Sequence, residues 1–222
     1  QFFGLDFIVP ELREDRGELK VAAEGKLPAL LTLEDIRGDL QAHTTASDGR
    51  ATLEEMARGA ADRGYAYFAV TDHTSYIGVT QGMDGEEFLA RNDQIDELNE
   101  RMADIQLLKS AEIDIHEDGS LDLENEVLKT FDLVLVSIHS YFGLSHQKQT
   151  RRILTALDNP HVHVLAHPTG RRINEREPYR YDLEKVITAA RERGCFLEIN
   201  AQPGRLDLKD THCQLAKEMG LK

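Results

Sequence analysis

From Arg37 onward the chain alternates between two hydrophobic rhythms. Short apolar runs rich in β-branched and aromatic residues are each followed by a longer segment whose apolar residues recur at helical spacing. The runs 39–43, 67–71, 106–112, 131–137, 162–166 and 195–200 read as strands. Segments 52–63, 85–103, 125–129, 147–157, 182–193 and 211–219 read as helices. Strand and helix in strict alternation predict a parallel sheet, hence an α/β fold. Thr52 and Glu55 have the spacing of a capping box, and Gly64 and Gly194 stand where helices stop in the left-handed region. The first 26 residues lack this order: an apolar start over 2–10 precedes a charged stretch, Glu11 to Lys20, with no sustained period. Residues 1–36 therefore read as the tail of an upstream region plus a linker, and 37–222 as one domain. Six strands are too few for an eight-fold barrel, and the sequence ends on a helix with Gly220 as its stop. A further strand is expected after it, so the reading is a (β/α) barrel truncated before its last strand.

Charge narrows the partners. The 222 residues carry 26 Lys and Arg against 40 Asp and Glu, a net charge of −14, which excludes a generally basic nucleic-acid-coating protein. Any DNA partner would need a local basic patch, a bound metal or another domain. No run approaches the roughly 18 apolar residues of a membrane span. Cys195 and Cys213 form no C-x-x-C pair, which fits thiols in a reducing compartment and makes the cytoplasm the expected location. The absence of an initiating Met and of a signal segment leads to the expectation of a piece of a longer polypeptide.

The unusual feature is what closes the predicted strands. Gln41 and His43 end the first, His73 follows the second, and Glu112, His139 and His167 end the third, fourth and fifth. In parallel barrels those ends converge on one face. A single His closing a strand is most often a satisfied polar residue. Four of them with Glu112 on one face read as a site for Zn²⁺, Mn²⁺ or Fe²⁺, with a shared Glu able to bridge two ions, so metal-assisted hydrolysis is the implied chemistry.

Other candidates carry a plainer reading beside the functional one. His116, His146, His161, His163 and His212 read as solvent or packing residues. Asp72 either orients an imidazole or closes the strand, and Ser47-Asp48-Gly49 reads first as a loop turn. Arg171, Arg172, Arg176 and Arg180 follow the fifth strand, and Arg171 is read as holding a phosphate. Lys148, Arg151 and Arg152 read as a solvated helix face, while Tyr141 and Phe142 either stack a base or cover the barrel mouth. No glycine-rich phosphate loop, G-x-S-x-G elbow or H-E-x-x-H helix is present, so nothing supports a Ser or Cys nucleophile.

Five stretches in order, Asp39-Leu40-Gln41-Ala42-His43 with Ser47-Asp48-Gly49, Val70-Thr71-Asp72-His73, Ala111-Glu112-Ile113-Asp114-Ile115, Val136-Ser137-Ile138-His139-Ser140 and Leu165-Ala166-His167-Pro168-Thr169-Gly170-Arg171, resemble the polymerase and histidinol phosphatase (PHP) domain. The resemblance covers 39–222 and is most like the C-terminal PHP domain of bacterial and archaeal family X DNA polymerases. Pro10-Glu11-Leu12-Arg13-Glu14 resembles the stretch joining the polymerase region to it.

This resemblance implies a distorted seven-fold (β/α) TIM-like barrel, here truncated before the seventh strand, with up to three divalent ions, Mn²⁺ and/or Zn²⁺ with Fe²⁺ as an option. By motif position Gln41, His43 and Glu112 would hold the first ion; Glu112, His139 and His167 the second; His73 and Asp48 the third. Glu112, His139 and Arg171 would be catalytic, with Arg171 on the substrate phosphate. Two departures stand out: the family's H-x-H is Gln41-x-His43 here, and the D-x-H of a seventh strand is absent, which leaves only the second ion site complete and leads to the expectation of a poorly active fragment.

The implied activity is a metal-dependent phosphoesterase of the 3′–5′ exonuclease kind, with AP-endonuclease or 3′-end processing, in base excision repair. Its implied partners are single-stranded or gapped 3′ ends and an upstream polymerase domain. The alternatives are a histidinol-phosphate-type phosphatase and a non-catalytic structural platform.

Overall fold

The computed structural model describes residues 4–77 and 82–221, which fall into two compact units, 1–36 and 37–222. In the first unit a 3₁₀ turn at Pro10–Leu12 is followed by helix α1 (Glu18–Ala23) and a second 3₁₀ turn at Leu33–Asp35. Helix α1 departs from the expectation of an aperiodic charged stretch. Its start is fixed locally, because the Glu18 carboxylate accepts the backbone N–H groups of Asp15 and Arg16 at 3.1 and 2.7 Å. A six-residue helix held by such short-range bonds leaves little hydrophobic period to read.

The second unit is built on six parallel strands in sequential order: β1 (Gly38–Ala42), β2 (Tyr67–Val70), β3 (Gln106–Asp114), β4 (Leu133–Ser137), β5 (Val164–Leu165) and β6 (Phe196–Leu197). Together they curl into an unclosed barrel wall, with β1 and β6 as its edges among the described residues. Helices α2 (Leu53–Ala61), α3 (Gly85–Arg101), α4 (Asn125–Leu128), α5 (His146–Leu157), α6 (Leu183–Arg193) and α7 (Asp210–Glu218) occupy the connections and the end of the chain. None of the described helices is long and apolar enough to cross a membrane.

Capping explains why the helices begin where they do. Thr52 and Glu55 form the expected capping box, with Glu55 N donating to Thr52 Oγ1 at 3.3 Å and Thr52 N to Glu55 Oε2 at 2.8 Å. Asp84 with Glu87, Ser145 and Asp182 cap α3, α5 and α6 in turn, and Gly194 ends α6 at φ +74°.

Alternation along β3 and β4 builds the site. Ala111, Ile113 and Ile115 enter the hydrophobic layer under the helices with Val134, Val136 and Ile138, so Ser110, Glu112 and Asp114 point to the opposite face. Register places Glu112 beside Leu135 and Asp114 beside Ser137, and an isolated parallel bridge carries pairing on to His73 and Glu112. In the centre of the sheet β3 and β4 are buried on both faces, which is why they read as continuous apolar runs. Strands β5 and β6 are shorter than the runs at 162–166 and 195–200 because side chains take ladder positions at their ends. His163 Nδ1 accepts Val134 N at 3.0 Å, and the Glu198 carboxylate accepts His167 N.

Candidate metal centre

The Glu112 carboxylate, 1 % exposed, is the point on which the strand ends converge. Its Oε1 lies 2.8 Å from His167 Nε2 and 3.3 Å from His139 Nε2. Its Oε2 lies 2.7 Å from Gln41 Nε2, 3.5 Å from His43 Nε2 and 3.8 Å from His73 Nδ1. The imidazoles are contiguous around it: His43 stacks on His73 at 4.5 Å between centroids, and His73 to His139 and His139 to His167 are edge contacts at 5.0 and 5.1 Å.

Titration follows from this crowding. Burial by itself would raise the Glu112 pKa, but hydrogen bonds from His139 and His167 hold it well below the usual carboxylate range. Burial opposes charge on His139 as well, yet its bonds to Asp114 and Glu112 carry it up to about 9. Burial lowers His73 and His167, leaving them neutral with lone pairs to offer. Asp114 accepts from His139 Nδ1 at 3.0 Å, which fixes the ring with Nε2 toward Glu112. That is the carboxylate–histidine arrangement that orients metal ligands.

The donor set fits divalent cations. His43 Nδ1, His73 Nδ1, His167 Nδ1 and Gln41 Oε1 are buried with no hydrogen-bond partner, a costly state for polar atoms unless something else satisfies them. Two groups place their donor atoms within 4.8 Å of one another: His43, Asp48 and His73, and His73, Glu112 and His139. Nitrogen and carboxylate oxygen in that mixture suit Zn²⁺, Mn²⁺ or Fe²⁺.

A family model described as the PHP domain matches residues 39–202, which include every one of these donors. The chain belongs to the PHP domain family. Over 219 residues it is 41 % identical to the DNA polymerase/3′-5′ exonuclease PolX of Bacillus subtilis (strain 168), covering 99 % of this chain and 38 % of that protein, so it spans well under half of that relative's length. A probable phosphatase of Thermoanaerobacter sp. (strain X514) is 36 % identical over 196 residues, which is 82 % of this chain and 75 % of that protein. The crystal structure of the histidinol phosphate phosphatase of Lactococcus lactis, complexed with zinc, L-histidinol and phosphate, superposes with a TM-score of 0.57 at 17 % identity, over 84 % of this chain and 82 % of that chain. That likeness confirms the fold of a truncated TIM-like barrel.

Within this PHP domain Glu112 meets His139 and His167, and also Gln41 and His43, while Asp48 meets His73, as the motif order expects. His43 also meets Asp48, and His73 faces both groups, Nε2 toward Asp48 at 3.8 Å and Nδ1 toward Glu112. Gln41 donates its amide N–H to Glu112 at 2.7 Å, which leaves its Oε1 buried and unpartnered beside the carboxylate. Asp48 arrives on the loop Thr44–Gly49, which is a turn as expected and more than a turn. Gly49 N donates to Thr44 O at 2.8 Å, and a Cβ on Gly49 would fall 2.3 Å from His43 O, so only glycine closes the loop this tightly. Among the described residues the Asp72 carboxylate has no hydrogen bond or ion pair with an imidazole. It accepts Thr44 N, Thr44 Oγ1 and Ser47 Oγ at 2.7 to 2.8 Å and pairs with Arg91, thereby holding the Asp48 loop from beneath.

Arg171 Nε donates to Arg205 O at 3.0 Å and its Nη2 to Leu206 O, so part of its guanidinium braces the loop after β6. Arg205, unremarked in the sequence, has a buried Nη1 with no partner and lies close enough to His167 to lower its pKa. Two other residues were missed. Asp114 lies two positions beyond Glu112, on the same strand face. Glu198 closes β6 as the other ligands close their strands, accepts His167 N, and is pushed up to about 7, chiefly by burial.

Because His139 holds a proton up to about pH 9, cation binding at its Nε2 must displace that proton. Apparent affinity is therefore expected to rise with pH, by up to about tenfold per unit between pH 7 and 9, and to level off above. Calorimetric titration of the metal-free protein with Mn²⁺ or Zn²⁺ in buffers of different ionisation enthalpy measures the released proton; binding that is flat in pH would contradict the assignment.

Proposed function

We propose that this PHP domain hydrolyses phosphodiesters at the 3′ ends of DNA, as the nuclease part of a DNA-repair polymerase. Metal-dependent phosphoester hydrolysis is the coarser half of the reading, supported by family membership, the probable-phosphatase relatives and the donor set. The finer half is carried by one observation: 41 % identity across 99 % of the chain to a protein described as a polymerase and 3′-5′ exonuclease. The reading extends to single-stranded or gapped 3′ ends as substrates, AP-site or 3′-end processing in base excision repair, an attached polymerase region preceding residues 37–222, and a cytoplasmic location.

Glu112, His43, His73, His139, His167 and Asp48 would hold the cations. Bound there, divalent ions supply Lewis acidity and lower the pKa of water near the scissile phosphate. The chain's own contribution is positional: Asp114 fixes the His139 ring, Gln41 braces Glu112, Glu198 holds the backbone at His167, and Arg171 would meet the substrate phosphate. A 5′-labelled single-stranded oligonucleotide with Mn²⁺ is expected to shorten in single-nucleotide steps from its 3′ end, to stop with EDTA, and to be cut at least about 100-fold more slowly by H139A. Release of phosphate only from monoesters such as histidinol phosphate would replace this reading with a small-molecule phosphatase, which the 36 % identical probable phosphatase favours. A protein without bound metal and without hydrolysis would be a structural platform.

A further inference from the structure

Beside the metal centre lies an open cleft of about 610 Å³, none of whose walls supplies a cation ligand. Its walls continue from segments that do: Tyr76 lies three residues beyond His73, His116 four beyond Glu112, and Tyr141 two beyond His139. Extended backbone covers at most about 3.5 Å per residue, so the cleft begins within roughly 7 to 14 Å of chain from the donors. The opposite wall is the start of α5, with Lys148 and Arg151 on one helix face.

The cleft is rigidly framed. Arg152, buried on its floor, donates Nε to His116 O at 2.8 Å, Nη1 to Ser140 O at 2.9 Å and Nη2 to Ile115 O, tying the β3 and β4 loops together. Tyr76 lies against His116 at 4.3 Å between centroids, and Asp122 accepts from Tyr76 N at 3.0 Å while lying 3.3 Å from His116 Nε2. Tyr141 is held at φ +54°, a left-handed conformation costly for a tyrosine, with half its surface open.

Charge in the cleft runs against that of the chain. Lys148 and Arg151 are exposed, and among the described residues neither side chain has a hydrogen bond or ion pair. By contrast, Lys109, Lys129, Lys185 and Arg193 are each paired with a carboxylate. Helix α5 carries no acid in its first turn, so the positive end of its dipole adds to the same wall. The acids Glu117 and Asp118 line the other side, and Asp118 is turned onto Ser120 N and Oγ. Two free cations on one wall and aromatic faces on the other match the backbone and the bases of an unpaired strand.

The geometry points to this cleft as the subsite for the single-stranded DNA leading away from the scissile phosphate, with bases on Tyr141 and Tyr76 and phosphates on Lys148 and Arg151. The inference deepens the nuclease reading and rests on it for the identity of the strand.

Fluorescence anisotropy of a labelled oligothymidylate, with the whole chain free of metal so that nothing is cleaved, tests it. K148A/R151A is expected to weaken binding at least tenfold and to reduce the slope of log affinity against log salt by about 1.4, two contacts at about 0.7 each. Y141A is expected to weaken binding about tenfold with the slope unchanged. K129A, at the C-cap of α4 and paired with Glu126, serves as the control. Equal binding by all variants, an equal loss in K129A, or tight binding of thymidine monophosphate in place of the oligomer overturns the proposal. The two readings fail separately. Intact cleft binding without diester hydrolysis sinks the nuclease, whereas stepwise hydrolysis with binding indifferent to Lys148, Arg151 and Tyr141 sinks only the cleft.

Discussion

Glu112→Gln is expected to reduce hydrolysis by about 10³-fold or more and to strip the protein of most of its bound metal, while leaving the fold intact. The carboxylate contacts five side chains at once, three of them imidazoles within 3.5 Å, and it is its charge that draws a cation among them. Glutamine matches it in volume, so the packing behind β3 is undisturbed. What is lost is a full negative charge buried at the centre of the site, where a single misplaced dipole can cost about 10²- to 10³-fold in rate. A second readout separates this from simple misfolding. Glu112 supplies two of the three largest influences that raise His139, the other being Asp114, so in metal-free E112Q the His139 ring should titrate well below the about 9 of the parent. Elemental analysis, hydrolysis rates and NMR titration of the ring protons measure the three effects. An E112Q protein with full metal content and activity would remove Glu112 from the centre of the site.

The strand ends were legible in the sequence because the central strands of this sheet are buried on both faces. In strands that read as Val, Leu, Ile and Ala, the polar exceptions His43, His73, Glu112, His139 and His167 stand out, and parallel topology brings the ends of all such strands to one side. Helix starts were legible for a similar reason, since Thr52 with Glu55 is a local signal that needs no tertiary context. Which donors share an ion was not legible. His73 offers one ring nitrogen toward Asp48 and the other toward Glu112, a consequence of ring orientation and of a bridge continuing past the end of β2. Sequence order says nothing about either.

Arg171 shows the same limit from the other side. A basic residue following a ligand motif reads as a phosphate clamp, and the two backbone carbonyls at Arg205 and Leu206 that also hold it are marked by no residue pattern. The face of α5 was ambiguous because helical periodicity separates buried from exposed positions, and Lys148 and Arg151 are exposed whether they face open water or a cleft walled by a distant tyrosine. Arg152, grouped with them by sequence, is instead buried to 1 % exposure, and its guanidinium replaces solvent with three carbonyl oxygens.

Arg91→Met is expected to cost about 3–5 kcal/mol, because it leaves the Asp72 carboxylate charged, fully buried and short of its ionic partner. For a domain of this size that corresponds to a fall in Tm of roughly 6 to 20 °C, measurable by calorimetry on metal-free protein. Arg91 Nη1 lies 3.2 Å from Asp72 Oδ2, its Nη2 donates to Ser110 O, and its guanidinium lies over the Phe88 ring at 4.7 Å. Methionine can keep the contact with Phe88 but not the charge. The double variant R91M/D72N should recover most of the lost stability, since a neutral amide beside a thioether leaves no unpaired charge behind. Function should not recover with it. Asp72 holds Thr44 and Ser47 through three short bonds, and that loop is what delivers Asp48 to His43 and His73. An amide has one acceptor oxygen in place of two, so the loop loosens at the end that carries the ligand. Stability and metal content are therefore expected to part company in the double variant, with the His43–Asp48–His73 group losing its ion while the group around Glu112 and His139 keeps its own. If R91M/D72N regains its Tm and binds as much metal as the parent, the buried pair merely fills the core, and the Asp48 loop is held by something other than Asp72.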